Sequence, residues 1–213
     1  MEVSAMPYVI RPPIRRMRLV GALLAAGGCA LLFPLSSARA ADGCPDVPVS
    51  QPFSLFGDYA DYFLVKKGNF ESDTRGWRLD DARVVAGNES YYVGGPSDTS
   101  SVSIGRAGSV VSTRFCIDVR HPHMRFFARQ TDGVDGLLSV QARWTDALKV
   151  QKEQTLGVLS GAGFSSWAPS DLVMLAGMVE LTDPGGTQSV QLVFTPLSGS
   201  WEIDDVYVDP YRR

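Results

Sequence analysis

Near the C-terminus the stretch Trp201-Glu202-Ile203-Asp204-Asp205-Val206-Tyr207-Val208 sets two adjacent carboxylates inside an otherwise apolar, strand-like run. Trp201 and Ile203 are in phase with each other, and so are Val206 and Val208, but the two pairs are in opposite phase. Side chains alternate with period two along a strand, so a regular strand cannot bury both pairs on one face. A bulge at Asp204-Asp205 repairs the phase and re-aims a carboxylate. An unpaired buried carboxylate is costly, and a hard cation with oxygen ligands relieves that cost. Cation binding is the chemistry this pattern points to.

Catalytic chemistry finds less support. The two histidines, His121 and His123, flank Pro122, where a turn is the expected structure, and no third ligand group accompanies them. Nucleophilic hydrolysis needs a histidine between a nucleophile and an orienting acid, and no Gly-x-Ser-x-Gly elbow occurs. Glycoside hydrolysis needs two carboxyls facing across a cleft, which sequence neighbours such as Asp204 and Asp205 do not supply together. The expectation is a protein that is not an enzyme.

Sugar recognition needs exposed aromatic faces and planar multi-donor side chains. In "HMRFFARQ", Arg125, Phe127 and Arg129 share one side of the strand. In "LLSVQARW", Ser139, Gln141 and Arg143 share the side opposite Leu138, Val140, Ala142 and Trp144, and Gln191 lies on the polar side of "SVQLVF". If these strands form one sheet, Arg125, Phe127, Arg129, Gln141 and Arg143 make a glycan or anionic-polysaccharide surface. The alternative is an ordinary solvated face with its arginines paired to acids. Tyr91 and Tyr92 stand in "ESYYVGG", read as a strand, which places one inside and one outside, with Tyr92 as the ligand-side candidate. Trp167, in "GFSSWAPS", reads as a plug closing one end, and Asp132 to Gly136 as a hairpin loop. Asn88-Glu89-Ser90 fits a glycosylation sequon.

The elements that must position these groups are strands. Beyond residue 40 no helical period persists. Short alternating runs such as "ARVVAG", "GSVVSTRFCIDV" and "SVQLVFTP" are punctuated by Gly and Pro, the signature of an all-β sandwich or barrel. "SDLVMLAGMVEL" reads as strand because Gly177 and the following turn argue against a helix. Residues 1–40 read as a cleaved secretion signal: Arg11, Arg15, Arg16 and Arg18 precede the apolar "LVGALLAAGGCALLFPL", and Ala38-Arg39-Ala40 offers a cleavage point. The expected location is therefore extracellular or in the cell envelope, with no membrane attachment after cleavage. From residue 41 the chain has 15 basic and 22 acidic residues, a net charge of −7, which argues against nucleic acid and anionic membranes as main partners. It also keeps two cysteines, Cys44 and Cys116, an even pair that reads as a disulfide in an exported chain. Residues 41–62 form a Pro-rich extended arm tied by that disulfide, and 63–213 form the β-sandwich.

"GNFES…GW", followed much later by "WEIDDVYV", resembles carbohydrate-binding modules of the galactose-binding-like jelly-roll superfamily, in the pattern N-x-x-F-E … G-W … I-D-D-V. The similarity covers roughly residues 64–208, although Asn69 directly precedes Phe70-Glu71 where the family often has intervening residues. The resemblance implies a two-sheet antiparallel β-sandwich whose first and last strands lie side by side and hold a structural calcium ion (Ca2+). It makes Glu71 and Asp205 the side-chain ligands, with Asp204 as the alternative acid, and Trp77 a core residue. It implies a glycan or cell-wall polysaccharide as ligand. A structural or protein-interaction jelly roll without sugar binding is the other reading.

Overall fold

The computed structural model describes residues 43–133, 135–175 and 186–210. The secretion-signal reading of residues 1–40 and the second half of "SDLVMLAGMVEL" fall outside them. Among the described residues, alternating apolar and polar residues form eleven strands: β1 (Phe63–Leu64), β2 (Arg78–Ala86), β3 (Ser100–Val111), β4 (Phe115–Asp118), β5 (His123–Gln130), β6 (Leu137–Thr145), β7 (Gln151–Ser160), β8 (Ala168–Pro169), β9 (Val173–Met174), β10 (Thr187–Ser198) and β11 (Trp201–Val208). The strand pairings are antiparallel, and they form one hydrogen-bonded path curled on itself.

The long β3 makes the corner. Val102 to Ile104 pair with Ile203 to Trp201 of β11, whereas Val110 and Val111 pair with Phe194 and Val193 of β10. On one side of this corner lie β11 and β5, with β1, β8 and β9; on the other lie β10, β6, β7 and β4. The two halves face each other, and Phe126 of β5 meets Phe194 of β10 edge to face at 5.0 Å. Leu138, Val140, Ala142 and Trp144 of β6 enter this core as their alternation requires, and so do Met124, Phe126 and Ala128 of β5 and Trp77. Antiparallel sheet against antiparallel sheet around one core is the expected β-sandwich.

Two local expectations are corrected. Residues 131–136 do not close a hairpin, because β5 pairs with β11 while β6 pairs with β10 and β7. The loop instead carries the chain between halves, and Asp132 holds it by accepting the Ser200 amide at 2.6 Å. "ESYYVGG" is a turn and not a strand. The Glu89 carboxylate takes the Tyr91 and Val93 amides at 2.5 and 2.6 Å, so these cannot serve a ladder, and Tyr92 adopts φ 54°.

The arm is bound more tightly than one disulfide requires. Cys44 and Cys116 are joined, closing a separation of 72 residues, worth roughly 4 kcal/mol in the loop-entropy account. The arm then bridges Ser50 to Tyr62 and lays the fully buried Phe53 and Tyr62 on the outer face of β5 and β11, against Phe127, Tyr207 and Trp167. Trp167 therefore packs on the outside of one half and does not plug an end. Because this second cluster is as dry as the core, Phe53→Ala is expected to lower unfolding free energy by about 3–5 kcal/mol. Urea denaturation followed by tryptophan fluorescence checks it; a loss below about 1 kcal/mol would make the arm a loose appendage.

Candidate metal centre and the predicted ligand face

The N-terminal strand and the last strand do lie side by side: Phe63 pairs with Val208 and Leu64 with Tyr207. Beyond β1 the chain keeps hold of β11, as the Val65 amide donates to the Val206 carbonyl and the Val206 amide to the Gly68 carbonyl. Gly68 allows this approach, because a Cβ there would sit 2.8 Å from the Val65 carbonyl oxygen and 3.2 Å from that of Val206. Phe70, at φ 54°, then turns into the core against Trp77, and Glu71 emerges toward β11 and the start of β3.

The expected bulge is present. The pairing of β11 with β5 shifts register between Asp204 and Tyr207, and Asp205 takes φ 51°. The two aspartates, both with no exposure, differ in their partners. Asp204 accepts the Asp205 amide at 2.9 Å and the Glu89 amide at 3.2 Å. Neither oxygen of Asp205 has a hydrogen-bond partner, and Asp98 Oδ2 has none either. Both carboxylates point at the backbone of Gly94. A Cβ there would collide with Asp98 Oδ2 and lie 3.3 Å from Asp205 Oδ1. Glu71 closes the cluster by accepting the Thr99 and Ser100 amides at 2.8 and 2.6 Å, which fixes the entry to β3.

Electrostatics bind these acids into one group. Burial, then the neighbouring Asp205, pushes the Asp204 carboxyl up to about 9. Burial, then the charges of Glu89, Asp98 and Glu71, pushes Asp205 up to about 8. Burial also raises Glu89 and Asp98, the latter helped by Glu71. Oxygen atoms from separate chain segments, dry and partly unpartnered, suit a hard divalent cation. Asp205 and Asp98 have coordination capacity to offer, and so does the Glu71 oxygen that takes no backbone amide, whereas both oxygens of Glu89 and of Asp204 are spent on amides. Sequence reading named Glu71 and Asp205 but missed Asp98 and Glu89. Asp98 sits in a turn-rich stretch without periodicity, and Glu89 was masked by the sequon reading. A different close grouping, Cys44, Asp118 and His121, offers no thiolate because Cys44 is in the disulfide, and Arg120 and the Cys44 amide occupy Asp118.

The predicted ligand stripe is divided by the fold. Arg125, Phe127 and Arg129 are in one half, Gln141 and Arg143 in the other. Phe127 is fully buried beneath Phe53, stacked at 5.5 Å with rings 20° apart, which corrects the expectation of an open aromatic platform. Arg125 lies over the Phe53 ring at 4.4 Å and pairs with Asp58 at 2.8 Å. Arg129 pairs with Glu202 at 2.6 Å and lies over Trp167 at 5.1 Å. The arm thus covers that face, because Phe53, Phe56 and Tyr62 bury more apolar surface there than water would allow them to expose. Gln141 and Arg143 stay on an open polar face, opposite Val193 and Gln191 of β10, with Arg143 bonded to Glu153 at 2.7 Å. Tyr91 and Tyr92 are both substantially exposed, 40% and 51%, which corrects the one-in, one-out expectation: they are turn residues and do not alternate.

No protein-family model and no curated protein matches the chain. Similar solved structures include the CBM22-1–GH10 modules of Clostridium thermocellum endo-1,4-β-D-xylanase 10B complexed with xylohexaose (13% identity, TM-score 0.45), where the match covers 71% of this chain and 29% of that one. TmCBM61 in complex with β-1,4-galactotriose aligns at 15% identity and TM-score 0.38, over 68% of this chain and 96% of that one. The CBM22-1–CBM22-2 tandem domain of Paenibacillus barcinonensis Xyn10C aligns at 11% identity and TM-score 0.47, over 81% and 46%.

The raised carboxyls set a pH dependence for the protein kept in chelator. Between the unfolded value of 3.8 and the folded values of about 8 and 9, the folded chain holds protons that the unfolded chain has released. Stability without a cation therefore falls as pH rises through this window, by an amount on the order of several kcal/mol. Urea midpoints in chelator from pH 5 to pH 9 check it, and a flat or rising profile would contradict the buried charge.

Proposed function

We propose that this chain is an exported, non-catalytic carbohydrate-binding-module-like domain, clasped by a calcium ion, that binds a glycan or cell-wall polysaccharide. The observation that carries the reading is Asp205: a wholly buried carboxylate with no hydrogen-bond partner, set with Asp98 against the backbone of Gly94. An all-oxygen ligand set from carboxylates on separate segments suits calcium, whose coordination is large and adaptable, better than magnesium. The disulfide supports an oxidising compartment and hence export. Glu71, Glu89 and Asp204 are engaged with backbone amides, which supports a scaffold role for them over acid–base catalysis. For sugar contact the open candidates are Tyr92 at the loop edge and Gln141 with Arg143 on the polar face.

A second reading, a structural or protein-interaction domain without sugar binding, draws on one specific observation. Arg125, Phe127 and Arg129 are consumed by Phe53, Asp58, Glu202 and Trp167 within the chain.

Asp205→Asn separates metal from packing, since Asn tolerates the left-handed backbone that Asp205 occupies. In wild type, calcium at a hundred times its dissociation constant should add about 2.7 kcal/mol of stability. In Asp205→Asn that gain should vanish, while stability in chelator at pH 8 stays equal or rises because a buried charge is gone. Calorimetric melting with and without calcium reads both signs. A wild type indifferent to calcium would remove the clasp. Affinity electrophoresis in gels containing xylan or β-1,4-galactan then separates the two readings: retardation supports the first, free migration in a broad glycan panel the second.

A further inference from the structure

The segment from Glu89 to Ser100 is fastened to the acid cluster along its whole length. The Glu89 amide donates to Asp204, Gly94 lies against Asp98 and Asp205, and the Thr99 and Ser100 amides donate to Glu71. Its tip carries the two tyrosines, and they differ in role. Tyr91 is a support: its ring meets Phe56 edge-on at 4.8 Å, tilts against buried Phe127 at 5.7 Å, and its hydroxyl donates to the Trp167 carbonyl at 3.4 Å. Tyr92 is half exposed at 51% and stands at φ 54°, a backbone conformation that a tyrosine keeps only when its surroundings enforce it. The enforcement comes from Glu89, whose carboxylate accepts the amides on both sides of Tyr92, from Tyr91 and from Val93.

The posture of Tyr92 therefore depends on a chain of contacts ending at Asp98 and Asp205, whose buried oxygens have no partner of their own. Without a cation these oxygens face Gly94 with no partner; with one they are drawn to a common centre. The surroundings also select the ligand. Glu71, Glu89, Asp98, Asp204 and Asp205 make the base of the loop anionic, and it repels an anionic polysaccharide. A neutral sugar ring stacks its apolar face on a phenol without that penalty.

We propose that residues 89–100 form a cation-organised recognition loop. In it, a divalent cation held by Asp98, Asp205 and Glu71 fixes Tyr92 to stack on the ring of a neutral sugar, so that cation and sugar each strengthen the binding of the other. The sugar half rests on the carbohydrate-binding reading above; the loop half stands on the contacts alone. Reciprocity follows from linkage: if the cation raises sugar affinity, the sugar raises cation affinity by the same factor.

The test uses amide hydrogen exchange and sugar titration on the oxidised protein. Exchange at the Tyr91 and Val93 amides is measured with calcium and with chelator in wild type, Tyr92→Ala and Glu89→Gln, alongside titrations with xylohexaose and β-1,4-galactotriose. Calcium is expected to slow exchange at these two amides by at least about tenfold, beyond any change at the β6 and β10 amides. Tyr92→Ala should keep that protection yet lose roughly tenfold in affinity for whichever sugar binds. Glu89→Gln should weaken the protection. If calcium raises the melting temperature but leaves both amides unchanged, the coupling is wrong even where the glycan reading stands. Sugar binding that survives both chelator and Tyr92→Ala overturns the loop as the contact and moves it to Gln141 and Arg143. If wild type with calcium binds neither sugar, the sugar half is overturned, and amide protection alone then supports only the cation-organised loop.

Discussion

A carboxylate that is buried without a hydrogen bond must be protonated, neutralised by a cation, or moved, and Asp205 is buried where it cannot move. It lies on β11, which is covered along its length by β3 and β1 on one edge and β5 on the other. The bulge turns Asp205 away from the core that Ile203 and Val206 enter, and every nearby segment is shaped around the result. Residues 65–71 press against β11 at a glycine, and residues 89–100 wrap its far side with their amides aimed at Glu71, Glu89 and Asp204. Backbone amides thus satisfy the acids that can be satisfied by protein alone. What remains, on Asp98 and Asp205, are buried oxygens that no group of the protein satisfies.

A second constraint comes from the arm. Burying Phe53 and Tyr62 on the outer face of β5 and β11 turns that face from a surface into an interior, and changes what its arginines do. Arg125 is mostly enclosed, so its pairing with Asp58 and its contact with the Phe53 ring act in a drier setting than a surface ion pair does. Asp58 shows the balance: burial pushes its carboxyl up, but hydrogen bonds from Tyr62 and Arg125 outweigh it and hold it below the ordinary range. The arm and the acid cluster meet through Tyr91, which packs on Phe56 and Phe127 while its amide is held by Glu89.

What could be read from the sequence follows which interactions are local. Period-two alternation is local, so strands β5, β6, β10 and β11 were legible, as were Trp77 and Trp144 as core residues. The phase conflict around Asp204-Asp205 was legible too, because only a bulge resolves it. Which strands share a sheet is not local. "HMRFFARQ" and "LLSVQARW" are joined by six residues and read as neighbours, yet β3 turns the corner and separates them. The outer face of β5 was read as open, to a glycan or to water, because its polar alternation is the same whether water or an aromatic arm covers it. Glu89 was invisible for a related reason, since a carboxylate that captures two amides leaves no composition signal. Asp98 became meaningful only once Gly94 and Asp205 stood beside it.

The cluster draws on residues 71, 89, 98, 204 and 205, so it can form only after the two ends of the sandwich have met. That meeting, which also pairs Phe63 with Val208, spans most of the described chain, and closures of long sequence separation come at high entropic cost. The β6–β7 pair, joined by a short turn with Asp146 accepting the Val150 amide at 2.8 Å, is available far earlier. Until closure the acids are solvated and repel only weakly; at closure they are dried and opposed. A cation that needs the assembled site contributes little to the steps that precede assembly and much to holding the ends together afterwards. Stabilisation of that kind falls mainly on the rate of opening. A cation at that place would act on the persistence of a fold that, once opened, would have to repeat its most improbable contact.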